Sequence, residues 1–313
     1  MISVSLIKKW KKMLSHKSVF HVNQMEGNFY SVGEIKGYYN DLRGKAIFTS
    51  KFDDNGIPYN IASLGEQKKK IYFPITIIQY GLGCYDVYLE KGEEDYRKKM
   101  LMMADWVVTH SDQNGAVDAF GPLMYRCPLS SMAQGEGASL LARAYVETSD
   151  PIYLETCRKL IHFMLCERDK GGTSEYTKEG LLLHEYPDKS LVLNGWIFSA
   201  FGLLDCYKIT KEEIYWQYWK DAVRGIRNML NRFDCGHWSF YDLGGKYTSP
   251  FYHCLHIELL KALNHLEPDP VFEKYIQKWT SDKQSRFWSL YAFGKKAVQK
   301  LTEKKNTEWV LVE

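Results

Sequence analysis

What the chain lacks narrows the field first. Nowhere in its 313 residues is there an apolar run long enough to cross a bilayer. The opening stretch, MISVSLIKKWKKMLSH, has basic residues but no long apolar segment behind them, so neither a secretory leader nor a membrane span is expected. The seven cysteines (Cys84, Cys127, Cys157, Cys166, Cys206, Cys235 and Cys254) are odd in number, scattered and without a CxxC pair. That argues against a disulfide framework or a cysteine-rich zinc site and for a reduced, cytoplasmic setting. There is no HExxH and no basic, aromatic-interleaved stretch, so neither a metal nor a nucleic-acid partner is expected. The net charge of +3 suits a polyanion without identifying one. The segment LIKKWKKML reads as a solvated N-terminal helix, or as a basic amphipathic helix lying peripherally on a membrane surface.

What is present is aromatic and helical. Aromatics make up 15% of the chain, with 22 Tyr and 9 Trp, enough to fill a core or to line a sugar-binding groove. The first sixty-odd residues stand apart: NFYSVGEIKGYYNDLRGKAIFTSKFDDNGIPYNIAS is rich in Gly, Tyr, Asn and Asp and reads as hairpins and extended pieces. Beyond it, apolar residues recur every three or four positions over 73–90, 94–110, 131–150, 151–167, 190–207, 212–233, 253–266 and 270–282. Pro74, Pro151 and Pro270 sit where helices should begin, and Ser190 is a suitable N-cap for the helix after it. Three acidic, glycine-centred turns, SDQNGAVD, RDKGGTSEY and FDCGHWSFYD, each follow a helix, with Gly115, Gly171 and Gly236 roughly sixty residues apart. One such turn per helix pair predicts a mainly α protein. The expected fold is an (α/α) toroid or incomplete barrel over 66–313, preceded by a small N-terminal helix and β-hairpin region over 1–65.

In LLLHEYPDKSLVLNGW (181–196), HEYP falls just before a helix that is apolar nearly all round and therefore inner. Glu185 and Tyr186 at its mouth either face a substrate or serve the structure, Glu185 pairing with a cation and Tyr186 capping the core. Further on, FDCGHWSFYDLGGKYTSPFYHCLHIELL (233–260) adds Tyr241, Asp242, Tyr247, Tyr252, His253 and His256. The two histidines, three apart, share a helix face. Tyrosines, a glutamate and histidines near helix mouths suggest acid–base work on a carbohydrate.

These segments carry a resemblance. FPITIIQYGLGCYD, SSMAQGEGASLLARAYVETSD, EYPDKSLVLNGWIFSAFGLLDCY, DCGHWSFYDL, YHCLHIELLKAL and DPVFEKYIQKW occur in the order seen in the D-glucuronyl C5-epimerases. The resemblance runs from about residue 72 to about 285, and GYYNDLRGKA (37–46) looks like the front hairpin of bacterial members. It implies a cofactor-free isomerase that inverts carbon 5 of D-glucuronate to L-iduronate within a heparosan-like or heparan-sulfate-type acidic polysaccharide. The family's key residues fall on Glu185, Tyr186, Tyr241 and Tyr252, with Glu185 and Tyr252 as the opposed acid/base pair. Gln134, Asn194, His253 and His256 would orient groups in the cleft. Tyr39 and Arg43 would reach the substrate from the front hairpin, although Arg43 reads equally as a solvated strand arginine. Where animal members have an Arg directly after YDL, this chain has Gly244 and Gly245. Neutralisation of the substrate carboxylate then falls to another residue, with Arg43, Arg126 and Lys246 as candidates. The family's aromatics before SxMAQG are replaced by Cys127, Pro128 and Leu129. A homodimer is allowed but not indicated. The rival readings are a polysaccharide lyase, a glycoside hydrolase using Glu185 with Asp234 or Asp242, and a catalytically silent glycan-binding protein.

Overall fold

The computed structural model describes residues 22–302 and 309–312. The LIKKWKKML segment lies outside them. The described chain enters through an extended segment and a short helix, α1 (Arg43–Phe48), followed by the hairpin β1 (Asn60–Leu64) and β2 (Gln67–Ile71). Four helical hairpins then follow one another. They are α2 (Pro74–Lys91) with α3 (Glu94–His110), α4 (Ser131–Thr148) with α5 (Pro151–Met164), α6 (Leu193–Thr210) with α7 (Glu213–Met229), and α8 (Pro250–Leu266) with α9 (Pro270–Gln284). A two-stranded ribbon, β3 (Ser174–Tyr176) with β4 (Leu181–Leu183), lies between the second and third pairs.

The first helix of each pair is the inner one. α4 is buried without a break from Ser131 to Ala144, and α6 from Leu193 to Cys206. The outer helices bury one stripe only, as α7 does with Tyr215, Trp219, Ala222, Val223, Ile226 and Met229. Successive inner helices pack on one another and each on its own outer partner, which makes an incomplete α/α toroid. Connections from inner to outer helix are two or three residues long, as at Gly92–Glu93 and Ser149–Asp150. The returns from outer to inner helix are long, so the three long loops gather at the N-terminal ends of the inner helices. Each holds one of the expected glycine turns. Gly115, Gly171 and Gly236 have φ of 88°, 85° and 92°, a region that favours glycine, and each turn is closed by a bridge.

Several expectations are corrected. GYYNDLRGKA is a hairpin arm in its first half only: 37–41 lie antiparallel to 25–29, with the Gly27 N–H donating to the Tyr39 carbonyl at 2.9 Å and the Asp41 N–H to the Met25 carbonyl at 2.8 Å. Arg43 then opens α1, where Asp41 Oδ1 accepts from the Arg43 N–H at 3.1 Å. The extended part is anchored in the core. Tyr38 and Tyr39 are fully buried, and Tyr39 Oη donates to Asp205 Oδ1 at 2.5 Å. Arg143 on α4 donates to Asp205 at 2.7 Å and to the Gly37 carbonyl at 2.9 Å. A second hairpin, β1–β2, follows α1, with residues 65 and 66 in its turn. Near the other end of the chain, β5 (Val310–Val312) pairs antiparallel with β1, so this sheet is built from both ends. Ser190 does not cap α6: the N-cap is Val192. A last helix, α10 (Arg286–Thr302), was not expected, and along it Ala292 alone is buried.

Candidate active site

A cavity of about 300 Å³ opens where the inner helices begin. Gln79 comes from the first turns of α2, Met132 from α4, Asn194 and Phe198 from α6, and Phe251 and Tyr252 from α8. The long loops add Tyr125, Glu185, Tyr186 and Tyr241. The toroid thus directs the N-termini of four helices toward one space, and the positive ends of their dipoles favour negative charge there.

Local structure fixes Glu185. The His184 N–H donates to the Thr173 carbonyl at 2.9 Å, and the His184 carbonyl accepts from the Ser131 N–H at 3.1 Å. The end of β4 is thereby tied to the start of α4. On the other side Glu185 lies against Gly195 in the first turn of α6, where a Cβ would stand 2.4 Å from Glu185 Oε2. Only glycine leaves room for the carboxylate there. Glu185 is 5% exposed, and its Oε2 has no hydrogen-bond partner among the described residues. Burial pushes its carboxyl up to about 7, against weaker opposing pulls from the Tyr186 hydroxyl and the Lys189 charge. That is the range of a general base working near neutral pH.

The tyrosines surround it. Tyr186 stacks on Phe120 with ring centroids 4.6 Å apart, and the Lys189 ammonium lies over its ring at 5.1 Å. Tyr241 and Tyr252 meet edge to face at 5.1 Å. The Leu193 N–H donates to the Tyr241 carbonyl, and Val192 bridges Asp242, so Tyr241 is held on the entry to α6. Burial, and after it the negative charge of Glu185, holds all three hydroxyls above the ordinary tyrosine value. The site is therefore one ionisable carboxyl among three phenols that stay protonated.

The structure brings Glu185, Tyr186, Tyr241, Tyr252 and Asn194 together around this cavity, and it places the other expected residues elsewhere. Gln134 is buried under the first glycine turn, donating to the Gly115 carbonyl at 2.6 Å and accepting from the Val117 N–H at 3.0 Å. His253 and His256 share a face, but it turns away from the cavity toward Ser239 Oγ, at 2.8 and 3.2 Å, and toward Trp279. Tyr39 serves Asp205 and Lys208 deep in the core. Arg43 pairs with Asp41 at 2.7 Å and with Glu90. Three residues were missed by sequence reasoning. Lys45 and Gln79 line the cavity, and the fully buried Glu136 accepts from Gln79 Nε2 at 3.1 Å. The available signal was Glu136 itself, a charged residue inside a helix that the pattern marks as inner.

The family profile described as D-glucuronyl C5-epimerase C-terminus matches residues 124–281, just over half of the chain. The chain belongs to this family. Among curated relatives, the D-glucuronyl C5-epimerase of Caenorhabditis elegans is 27% identical over 233 residues, covering 65% of this chain and 36% of its own length. An uncharacterised protein of Methanocaldococcus jannaschii is 25% identical over 210 residues, 60% of this chain and 68% of that one. The chain thus spans little more than a third of the nematode epimerase. The crystal structure of the unsaturated glucuronyl hydrolase of Bacillus sp. GL1 aligns at a TM-score of 0.45 and 18% identity, covering 69% of this chain and 61% of that one. Within this C5-epimerase-family chain, the matched span contains Glu185, Tyr186, Tyr241 and Tyr252 and excludes Lys45 and Gln79.

Proposed function

We propose that the protein inverts carbon 5 of D-glucuronate to L-iduronate within a heparosan-like polysaccharide, without a cofactor. The observation that carries this reading is the single carboxyl near pH 7 sharing a cavity with three protonated tyrosines. Inversion requires a base on one face of the ring and an acid on the other. Glu185 takes the carbon 5 proton, leaving an enediolate conjugated with the substrate carboxylate. Tyr252 delivers its hydroxyl proton to the opposite face, with Tyr241 and Tyr186 donating hydrogen bonds to the developing charge. Glu185 then releases its proton and Tyr252 regains one, so the cycle balances. The N-termini of the inner helices favour the added negative charge. All seven cysteines are free thiols, which suits the proposed cytoplasmic setting.

A hydrolase needs a second carboxylate across the cleft. Neither candidate serves. Asp234 accepts from Lys278 Nζ at 2.9 Å and from Trp279 Nε1 at 3.0 Å, and Asp242 accepts from the Gly244 N–H at 2.9 Å; neither lines the cavity.

Incubation with heparosan in D2O tests the proposal. Deuterium at carbon 5 without chain shortening is the expected result. An unsaturated, ultraviolet-absorbing product would indicate a lyase, new reducing ends a hydrolase, and binding without exchange a silent glycan-binding protein. Glu185→Gln and Tyr252→Phe should each lose roughly 10²–10⁴-fold in exchange with little change in affinity, because proton transfer acts in the transition state.

A further inference from the structure

We propose that Lys45 is the cation that recognises the uronate carboxylate, with Glu136 and Gln79 as the positioning residues behind it. The inference rests on the uronate reading above and names the group that reading leaves open. A uronate brings one negative charge into a cavity lined by aromatics and a buried glutamate, and the enediolate adds a second. Burial of that charge needs a cationic partner. The position after YDL offers Gly244 and Gly245. Lys246 is half exposed and lies 3.6 Å from Asp242, and Arg43 is engaged by Asp41 and Glu90. Among the described residues lining the cavity, Lys45 is the basic one.

The fold delivers Lys45 there. α1 lies directly on α2 because Gly83 has no side chain: a Cβ would stand 2.2 Å from the Leu42 carbonyl oxygen. The backbone around Lys45 is held by its own N–H donating to the Leu42 carbonyl at 2.8 Å and by Thr49 Oγ1 donating to its carbonyl at 2.6 Å. One turn before Gly83 on α2, Gln79 donates from Nε2 to both carboxylate oxygens of Glu136, at 3.1 and 3.3 Å. Burial draws Lys45 down to about 8 and Glu136 up to about 8, and the charge of each draws the other back. An ammonium with a buried carboxylate behind it and the cavity before it gains a second anionic partner when a uronate enters. Gln79, donating to Glu136, keeps that carboxylate from swinging into the cavity to repel the substrate. Lys45 could instead serve only to neutralise Glu136, and that alternative makes a different prediction.

The test compares a heparosan hexasaccharide with its carboxyl-reduced counterpart by isothermal titration calorimetry. Wild type should prefer the acidic ligand by about tenfold or more. Lys45→Met should erase that preference and leave affinity for the reduced ligand unchanged, whereas Lys45→Arg should keep much of it. A folded Lys45→Met protein that still prefers the acidic ligand overturns the assignment and leaves the epimerase reading intact. A wild type without preference overturns the uronate reading and this inference with it. If Lys45→Met unfolds, the wild type carries the test between pH 7.5 and 9.5. Over that range Lys45 loses its proton, Glu136 on α4 and Glu185 beside α6 can only gain negative charge, and the facing group on α2, Gln79, is uncharged. The preference must therefore shrink, and one that stays constant to pH 9.5 overturns the proposal.

Discussion

Glu185 and Tyr252 are pushed in the same direction by burial, with opposite consequences for their chemistry. Raised to about 7, the carboxyl is half ionised near neutrality, whereas the raised phenol stays protonated and available as an acid. Exchange of the carbon 5 hydrogen from glucuronate units should therefore climb roughly tenfold per pH unit below 7 and level off above it. Deuterium wash-in measured from pH 5 to 8 checks this, and a flat profile between 5 and 7 would contradict the assignment of Glu185 as base. The effect on stability has the opposite sign. The folded value lies above the unfolded 4.5, so the contribution present below about pH 4.5 is lost as pH rises to about 7. The residues proposed for this chemistry were visible as motif positions. Their ionisation was not, because it depends on the helices that wall them in.

At the scale of elements, the loop between α7 and α8 shows how a site residue is held from behind. Ser239 Oγ lies within 2.8 Å of His253 Nδ1, 3.2 Å of His256 Nδ1 and 3.1 Å of Thr248 Oγ1, all buried. Two residues further on is Tyr241. Ser239→Ala should leave buried imidazole nitrogens unpaired and cost about 1–3 kcal/mol in urea unfolding. It should also lower exchange by less than Glu185→Gln does, since Tyr241 is loosened but not removed. An unchanged urea midpoint would show that the histidine pair repacks freely. The periodicity that revealed α8 put both histidines on one face but could not say which neighbour that face meets. α10 escaped notice for a related reason: with Phe287 and Leu290 exposed and Ala292 alone buried, its apolar residues do not mark a core stripe.

The whole molecule depends on the segment before α1, which joins helices far apart in sequence. Arg143 and Asp205 form a buried ion pair at 2.7 Å, and the Gly37 carbonyl and Tyr39 hydroxyl are bonded to it. The Lys208 ammonium donates to Tyr39 Oη and to the Ser31 carbonyl, and the Glu26 N–H donates to Glu258 on α8. Arg143→Met should cost about 3–5 kcal/mol, because it leaves the Asp205 carboxylate buried without its cation. The same change should make the 37–46 segment a target for limited proteolysis. Since Lys45 rides on that segment, affinity for acidic oligosaccharide should fall in parallel. A loss below about 1 kcal/mol, with the segment still protected, would mean that the apolar packing of Tyr38 and Tyr39 suffices to hold it.

The sequence alone determined the toroid and pointed to the central residues of the candidate site. Helical periodicity and left-handed glycine turns are local properties, and Glu185, Tyr186, Tyr241 and Tyr252 sit in loops and helix starts that any α/α arrangement gathers at one end. Which polar side chains reach the cavity was decided only by tertiary packing, and α1 shows why. Read as a hairpin strand, residues 43 and 45 share a face, and the arginine is the natural ligand for an anion. Folded as a helix, positions two apart diverge by about 200°. Arg43 then turns to Asp41 and Glu90, and Lys45 turns to the cavity and Glu136. The choice between strand and helix was made by the burial of Tyr38, Tyr39 and Leu42 against inner helices from elsewhere in the chain, contacts that no local pattern encodes.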